Sequence, residues 1–137
     1  MPTEKRPVIA MDIKLKHYRD PETGDVVGVD RYETGFAYRD RYELLNRYVD
    51  AIYEAGGIPL MVPCFPDEDI LREYVAMADA FLFVGINDYP PALYREPVRQ
   101  AAVKDTEGYR RHAVSDTIVA RLVLQESTHM PALGICA

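Results

Sequence analysis

The sequence predicts an α/β fold built on a mainly parallel sheet, and three observations carry that prediction. Four short, nearly continuous apolar runs occur at Pro7–Met11, Ile58–Val62, Ala80–Val84 and Met130–Ile135, the pattern of strands buried on both faces. Between the later runs, apolar residues recur at helical spacing. The order strand, helix, strand, helix, strand, helix, strand then implies right-handed crossovers with helices on both faces of the sheet.

The first strand is expected at Pro7-Val8-Ile9-Ala10-Met11, an apolar run that includes the β-branched Val8 and Ile9. From Asp12 to Arg39 the chain is polar and rich in tyrosine, with turn signals at Pro21-Glu22-Thr23-Gly24, Gly28 and Gly35. A stretch this long without periodicity reads as a surface loop, an oligomer contact or a substrate-facing lid, with room for a hairpin within Val26 to Val29. Asp40 and Glu43 have the spacing of a capping box for a first helix. Its apolar stripe is Leu44, Leu45, Tyr48, Ile52 and Ala55, and Gly56-Gly57 ends it.

The second strand, Ile58 to Val62, lies between Pro59 near its start and Pro63 at its end. Asp67-Glu68-Asp69 precedes a helix over Ile70 to Met77, and the acidic triplet suits the positive end of the helix dipole better than a metal. Ala80 to Val84 is the third strand, ending at a sharp turn on Gly85. Pro90-Pro91 and Pro97 interrupt any long helix in the loop beyond. A third helix from Tyr109 to Gln125 presents Val114, Ile118, Val119, Leu122 and Val123, and Met130 to Ile135 forms the fourth strand.

Composition narrows the functional classes. Hydrophobic residues make up 48% and charged residues 28% of the chain, as in ordinary folded proteins. Acidic residues outnumber basic ones 22 to 16, for a formal charge of -6, which argues against nucleic acid and acidic membranes as partners. Two cysteines, Cys64 and Cys136, do not make a disulfide framework. The polar opening and the short first apolar run are not a signal h-region or a membrane span, so a cytoplasmic protein is expected. The 137 residues suffice for one core but fall short of the roughly 200 usual for a complete doubly wound enzyme domain. The length therefore points to a truncated domain.

Reactive groups in parallel sheets gather beyond the carboxyl ends of the strands, and Cys136 follows Leu133-Gly134-Ile135 there. A sharp turn can lift such a side chain out of the sheet, and the opening amides of a following helix favour its thiolate. Taken alone, a cysteine after a strand is more often an inert core residue. A hydrolytic cysteine also needs a base, and the histidines are His17, His112 and His129. His129 is about 20 Å from Cys136 if the intervening run is extended; His17 and His112 depend on the tertiary fold. Gly85-Ile86-Asn87-Asp88 offers a second loop at the same sheet edge. Its amides, with that of Ala137, are candidates for an oxyanion hole, and Asp88 suits a loop-shaping role. No P-loop, dinucleotide glycine pattern or HExxH pair occurs, and no cofactor or metal is expected.

Four stretches together resemble the class I glutamine amidotransferase-like superfamily, and within it the γ-glutamyl-γ-aminobutyrate hydrolase, peptidase C26-like branch. They are Pro7 to Met11, Tyr48 to Leu60 with Val62-Pro63, Phe81 to Tyr94, and Pro131 to Cys136. The resemblance implies a flavodoxin-like three-layer sandwich with a mainly parallel sheet, of which residues 1–137 are the N-terminal portion of a single domain and the C-terminal part lies beyond them. It also implies a cysteine hydrolase that attacks a γ-glutamyl amide and passes through a thioester. Cys136 matches the nucleophile. Val84, Gly85, Ile86, Asn87 and Asp88 match a proline, two glycines, a variable residue and an aspartate, so Ile86 and Ala137 would supply the oxyanion-hole amides, with Gly85 and Asp88 shaping the loop.

Several positions depart from the family pattern. Val84 and Ile86 replace the proline and second glycine, and Ala137 replaces an arginine. Ser115 and Val119 stand where an arginine and a glutamate flank Asp116. The family's histidine and its orienting glutamate lie beyond residue 137, so turnover is not expected from this chain alone. The implied partners are a small γ-glutamyl or related amide substrate, the C-terminal remainder of the domain (in one chain or a second) and a further copy of the chain as a homo-oligomer. The competing reading is an inactive binding or assembly protein on the same scaffold, with Tyr32, Tyr38, Tyr42, Tyr48 and Tyr53 as interface residues. A different cysteine reaction on a related scaffold is the third.

Overall fold

Val8–Asp12 forms β1, and its alternation sets the architecture: Ala10 points into one hydrophobic core and Met11 into another on the opposite face. The computed structural model describes residues 5–16, 28–29, 37–38, 41–84, 107–126 and 129–135. Around β1 lie β6 (Ile58–Val62), β7 (Ala80–Phe83) and β8 (Ala132–Gly134), in the order β6-β1-β7-β8, with every neighbouring pair parallel. Helix α1 (Asn46–Glu54) covers one face; α2 (Glu68–Met77) and α3 (Glu107–Arg121) cover the other. The result is the three-layer, flavodoxin-like α/β sandwich.

The larger core joins Ala10, Val62 and Phe81 of the sheet to Leu71 and Val75 of α2, and to Val119, Leu122 and Val123 at the end of α3. Leu122–Glu126 continues α3 as a π-helical turn, which keeps Leu122 and Val123 directed at the sheet. Val114, expected on this face, is 44% exposed, and the buried side instead carries Ala113, Ser115 and two ionisable residues described below. The smaller core sets Met11 and Val84 against Ile52, with Leu44, Tyr48 and Val49 at its margin.

The segment between β1 and α1 differs from expectation. Lys14–Lys16 (β2) pairs antiparallel with Arg41–Glu43 (β5), and Gly28–Val29 (β3) pairs with Ala37–Tyr38 (β4). The excursion thus carries two antiparallel ladders, one nested within the other in sequence; Gly28–Val29 pairs with Ala37–Tyr38, and the rest of the hairpin expected within Val26 to Val29 lies outside the described residues. Because Glu43 belongs to a strand, it does not complete a capping box. The α1 N-cap is Leu45, which has no side-chain cap, and Leu45 and Ala55 are exposed. Asp40 lies outside the described residues.

Two glycines end α1 for different reasons. Gly56 adopts φ +84°, a conformation that side chains with a Cβ disfavour. At Gly57 an added Cβ would stand 3.0 Å from Ile52 Cγ2 and 3.3 Å from Ile9 Cγ1, so its lack of a side chain lets α1 approach β1. Pro59 is tolerated inside β6 because that strand lies at the edge of the four described parallel strands, where a missing N–H breaks no ladder. The acidic triplet does cap α2: the Asp67 carboxylate accepts from the amides of Asp69 at 2.9 Å and Ile70 at 3.2 Å. Glu68 binds Arg72 of its own helix and Arg121 of α3.

Candidate functional site

The connection β1 to β6 runs toward one side of the sheet, and β6 to β7 crosses back over β1 to the other. The carboxyl ends of β1 and β7 therefore flank the topological switch point, where parallel α/β sheets bind ligands. Asp12, the last residue of β1, stands there with 4% exposure. Its Oδ1 accepts from the Val84 amide at 2.6 Å, which ties the end of β1 to the end of β7.

Helix α3 brings His112 and Asp116 to the same place. Their i, i+4 spacing puts them on one helical face, and both are buried. His112 Nε2 is 3.5 Å from Asp12 Oδ2, and His112 Nδ1 is 3.3 Å from Asp116 Oδ2. An imidazole thus sits between two carboxylates. Neither ring nitrogen, nor Asp12 Oδ2, makes a well-directed hydrogen bond. One ligand atom from each of the three residues lies within 4.8 Å of the others.

The neighbouring contacts hold α3 against the strand ends. Arg111 Nε donates to the Cys64 carbonyl at 2.8 Å, and Cys64 Sγ donates to the Ile13 carbonyl at 3.1 Å. The Cys64 thiol is buried, so this cysteine is placed for structure. The Tyr42 hydroxyl beside it is pushed above its ordinary range, first by burial and then by proximity to Cys64.

Of the positions read from the sequence, Gly85, Ile86, Asn87, Asp88, Cys136 and Ala137 lie outside the described residues, as do His17 and Tyr32. The strands leading to them are described: Leu82 pairs with Leu133 and Phe83 with Gly134, and the Ile135 amide donates to Phe83 O at 2.9 Å. Val84 and Ile135 thus leave the sheet at the same edge. His129 is exposed in the turn before β8. His112 is brought together with two carboxylates, and among the described residues no cysteine thiol pairs with a histidine. The buried Asp-His-Asp group therefore offers no simple cysteine chemistry at its own position.

Asp12 was not legible as a functional residue, although a carboxylate ending an apolar strand is an available signal. Asp116 was legible only as the partner of substituted flanking positions, and the i, i+4 pairing with His112 was the sign that it shares a face with a second polar group.

The fold and this polar group define an α/β protein with a buried acid–histidine cluster at the carboxyl ends of a parallel sheet. Residues 25–137 match the sequence model of the peptidase C26 family, and the chain belongs to that family. No curated protein matches the chain. Among the described residues, no helix is long and apolar enough to cross a membrane.

Proposed function

We propose that the chain is the nucleophile-bearing part of an amide hydrolase that cleaves γ-glutamyl or related small amides through a thioester at Cys136. The observation that carries this reading is the match of residues 25–137 to the peptidase C26 family, a family of hydrolases by its name. The parallel register of β7 and β8 supports it, since Val84 and Ile135 precede the two loops that the chemistry needs.

In this reading Cys136 attacks the amide carbonyl. The backbone amides of Ile86 and Ala137 stabilise the oxyanion, and Gly85 and Asp88 shape the loop that presents the first of them. A base supplied by residues other than these 137 takes the Cys136 proton and passes it to the leaving amine, and water then cleaves the thioester. The Val84 amide, held by Asp12, would anchor the start of the oxyanion loop.

The test is intact mass under denaturing conditions before and after exposure to a glutamine-like diazo-ketone, with Cys136→Ala as control. A single adduct mapping to Cys136 and absent from the variant supports the reading. A native protein that takes up no label, with Cys136 no more reactive than a free thiol, would replace it with a binding or assembly role on the same scaffold.

A further inference from the structure

We propose that Asp12, His112 and Asp116 form a buried site for one divalent transition-metal cation, with Asp12 Oδ2 and His112 Nε2 as ligands and Asp116 orienting the imidazole. The proposal is independent of the cysteine chemistry.

Two ligands at about 2.0–2.1 Å from a tetrahedral ion stand roughly 3.4 Å apart, and the observed Nε2···Oδ2 separation is 3.5 Å. A hydrogen bond would draw the same atoms closer and align N–H with the oxygen, yet both atoms are buried without such a partner. Asp12 Oδ1 is already engaged by the Val84 amide, so Oδ2 is the oxygen left to take a charge. A buried carboxylate requires neutralisation, and among the described residues the cation-capable group beside Asp12 is the His112 ring.

Asp116 Oδ2, 3.3 Å from the far ring nitrogen, has the place of the carboxylate that fixes the tautomer and orientation of a metal-bound histidine. With Asp116 on the Nδ1 side of the ring, coordination through Nε2 would face Asp12. One imidazole with carboxylate oxygen favours zinc, cobalt or nickel over magnesium or calcium. Two protein ligands would leave the other positions of a tetrahedral ion to water.

The test is titration of the chelator-treated 137-residue protein with Co2+ and Zn2+, followed by calorimetry and by the visible absorption of cobalt. One ion per chain is expected. Asp12→Asn and His112→Gln should each weaken binding at least tenfold, and Asp116→Asn by about tenfold through lost orientation. Circular dichroism checks that the variants fold. If they do not, X-ray absorption of the zinc-loaded wild type decides: imidazole nitrogen with oxygen neighbours supports the site, and sulfur neighbours place the ion on cysteine and overturn it. Absence of saturable binding by the folded wild type, or undiminished binding by folded His112→Gln, also overturns it.

Discussion

Asp79 illustrates how single side chains join the layers. Its carboxylate accepts from the Val8 amide at 2.8 Å, while its own amide donates to the Val8 carbonyl at 2.8 Å, and Lys5 stands 3.6 Å away. The Val8 amide first, and Lys5 after it, hold the Asp79 carboxyl below its ordinary value of 3.8. A lowered folded-state value means that the ionised form stabilises the native chain above the unfolded-state range. That contribution disappears as pH falls through and below 3.8. Asp79→Asn should therefore flatten the acid limb of the stability profile, read as urea midpoints between pH 6 and 3 under the same salt conditions; an unchanged slope would assign the acid sensitivity elsewhere. At the residue scale the buried Asp12–His112–Asp116 group stands apart from Asp79, because its members are withdrawn from water and Asp79 is not.

At the level of elements, the two main helix starts differ in chemistry. Helix α2 begins with a side-chain cap at Asp67 and acidic residues in its first turn, so its start is stabilised locally. Helix α1 begins without one and depends on Tyr48, Val49 and Ile52 packing over Met11 and Ile9. Asp67→Ala should accordingly destabilise the protein by about 1 kcal/mol, measured by chemical unfolding, with no change in the slope of the transition. The capping-box spacing of Asp40 and Glu43 misdirects a local reading. Arg41–Glu43 gains ladder hydrogen bonds to Lys14–Lys16, and those long-range bonds outweigh a local cap.

Across the whole molecule, burial is uneven. Among the described strands, β1 lies between two others and under both helical layers, while β8 is bonded to β7 alone, and Ala132, Leu133 and Gly134 are exposed. Leu133 is 62% exposed and Met61 of β6 51%, so the two outer strands carry apolar side chains toward solvent. Amide exchange should therefore be slowest in β1 and β7, which open only with the whole sheet, and faster in β8. Mass-spectrometric exchange on the native chain checks this order; protection of β8 equal to that of β1 would mean that its outer side is covered in solution. The same architecture aligns the ends of β1, β7 and β8, bringing the buried acid–histidine group to that end of the sheet and setting Val84 beside Ile135.

The sequence by itself determined the strand and helix alternation, because burial on two faces requires continuous apolar runs at β1, β6 and β7, and burial on one requires the spacing seen in α2. It also determined family membership through stretches such as Gly56-Gly57-Ile58-Pro59, whose glycines meet particular backbone and packing demands. Only the tertiary structure decided the nested ladders before α1, since their partners lie far apart in the chain and carry little alternation. It alone assembled Asp12 with His112 and Asp116, which stand 100 and more positions from it: the i, i+4 spacing joins the two α3 residues locally, but no local pattern reaches Asp12, and only the fold withdraws all three from water at the point where strand order reverses.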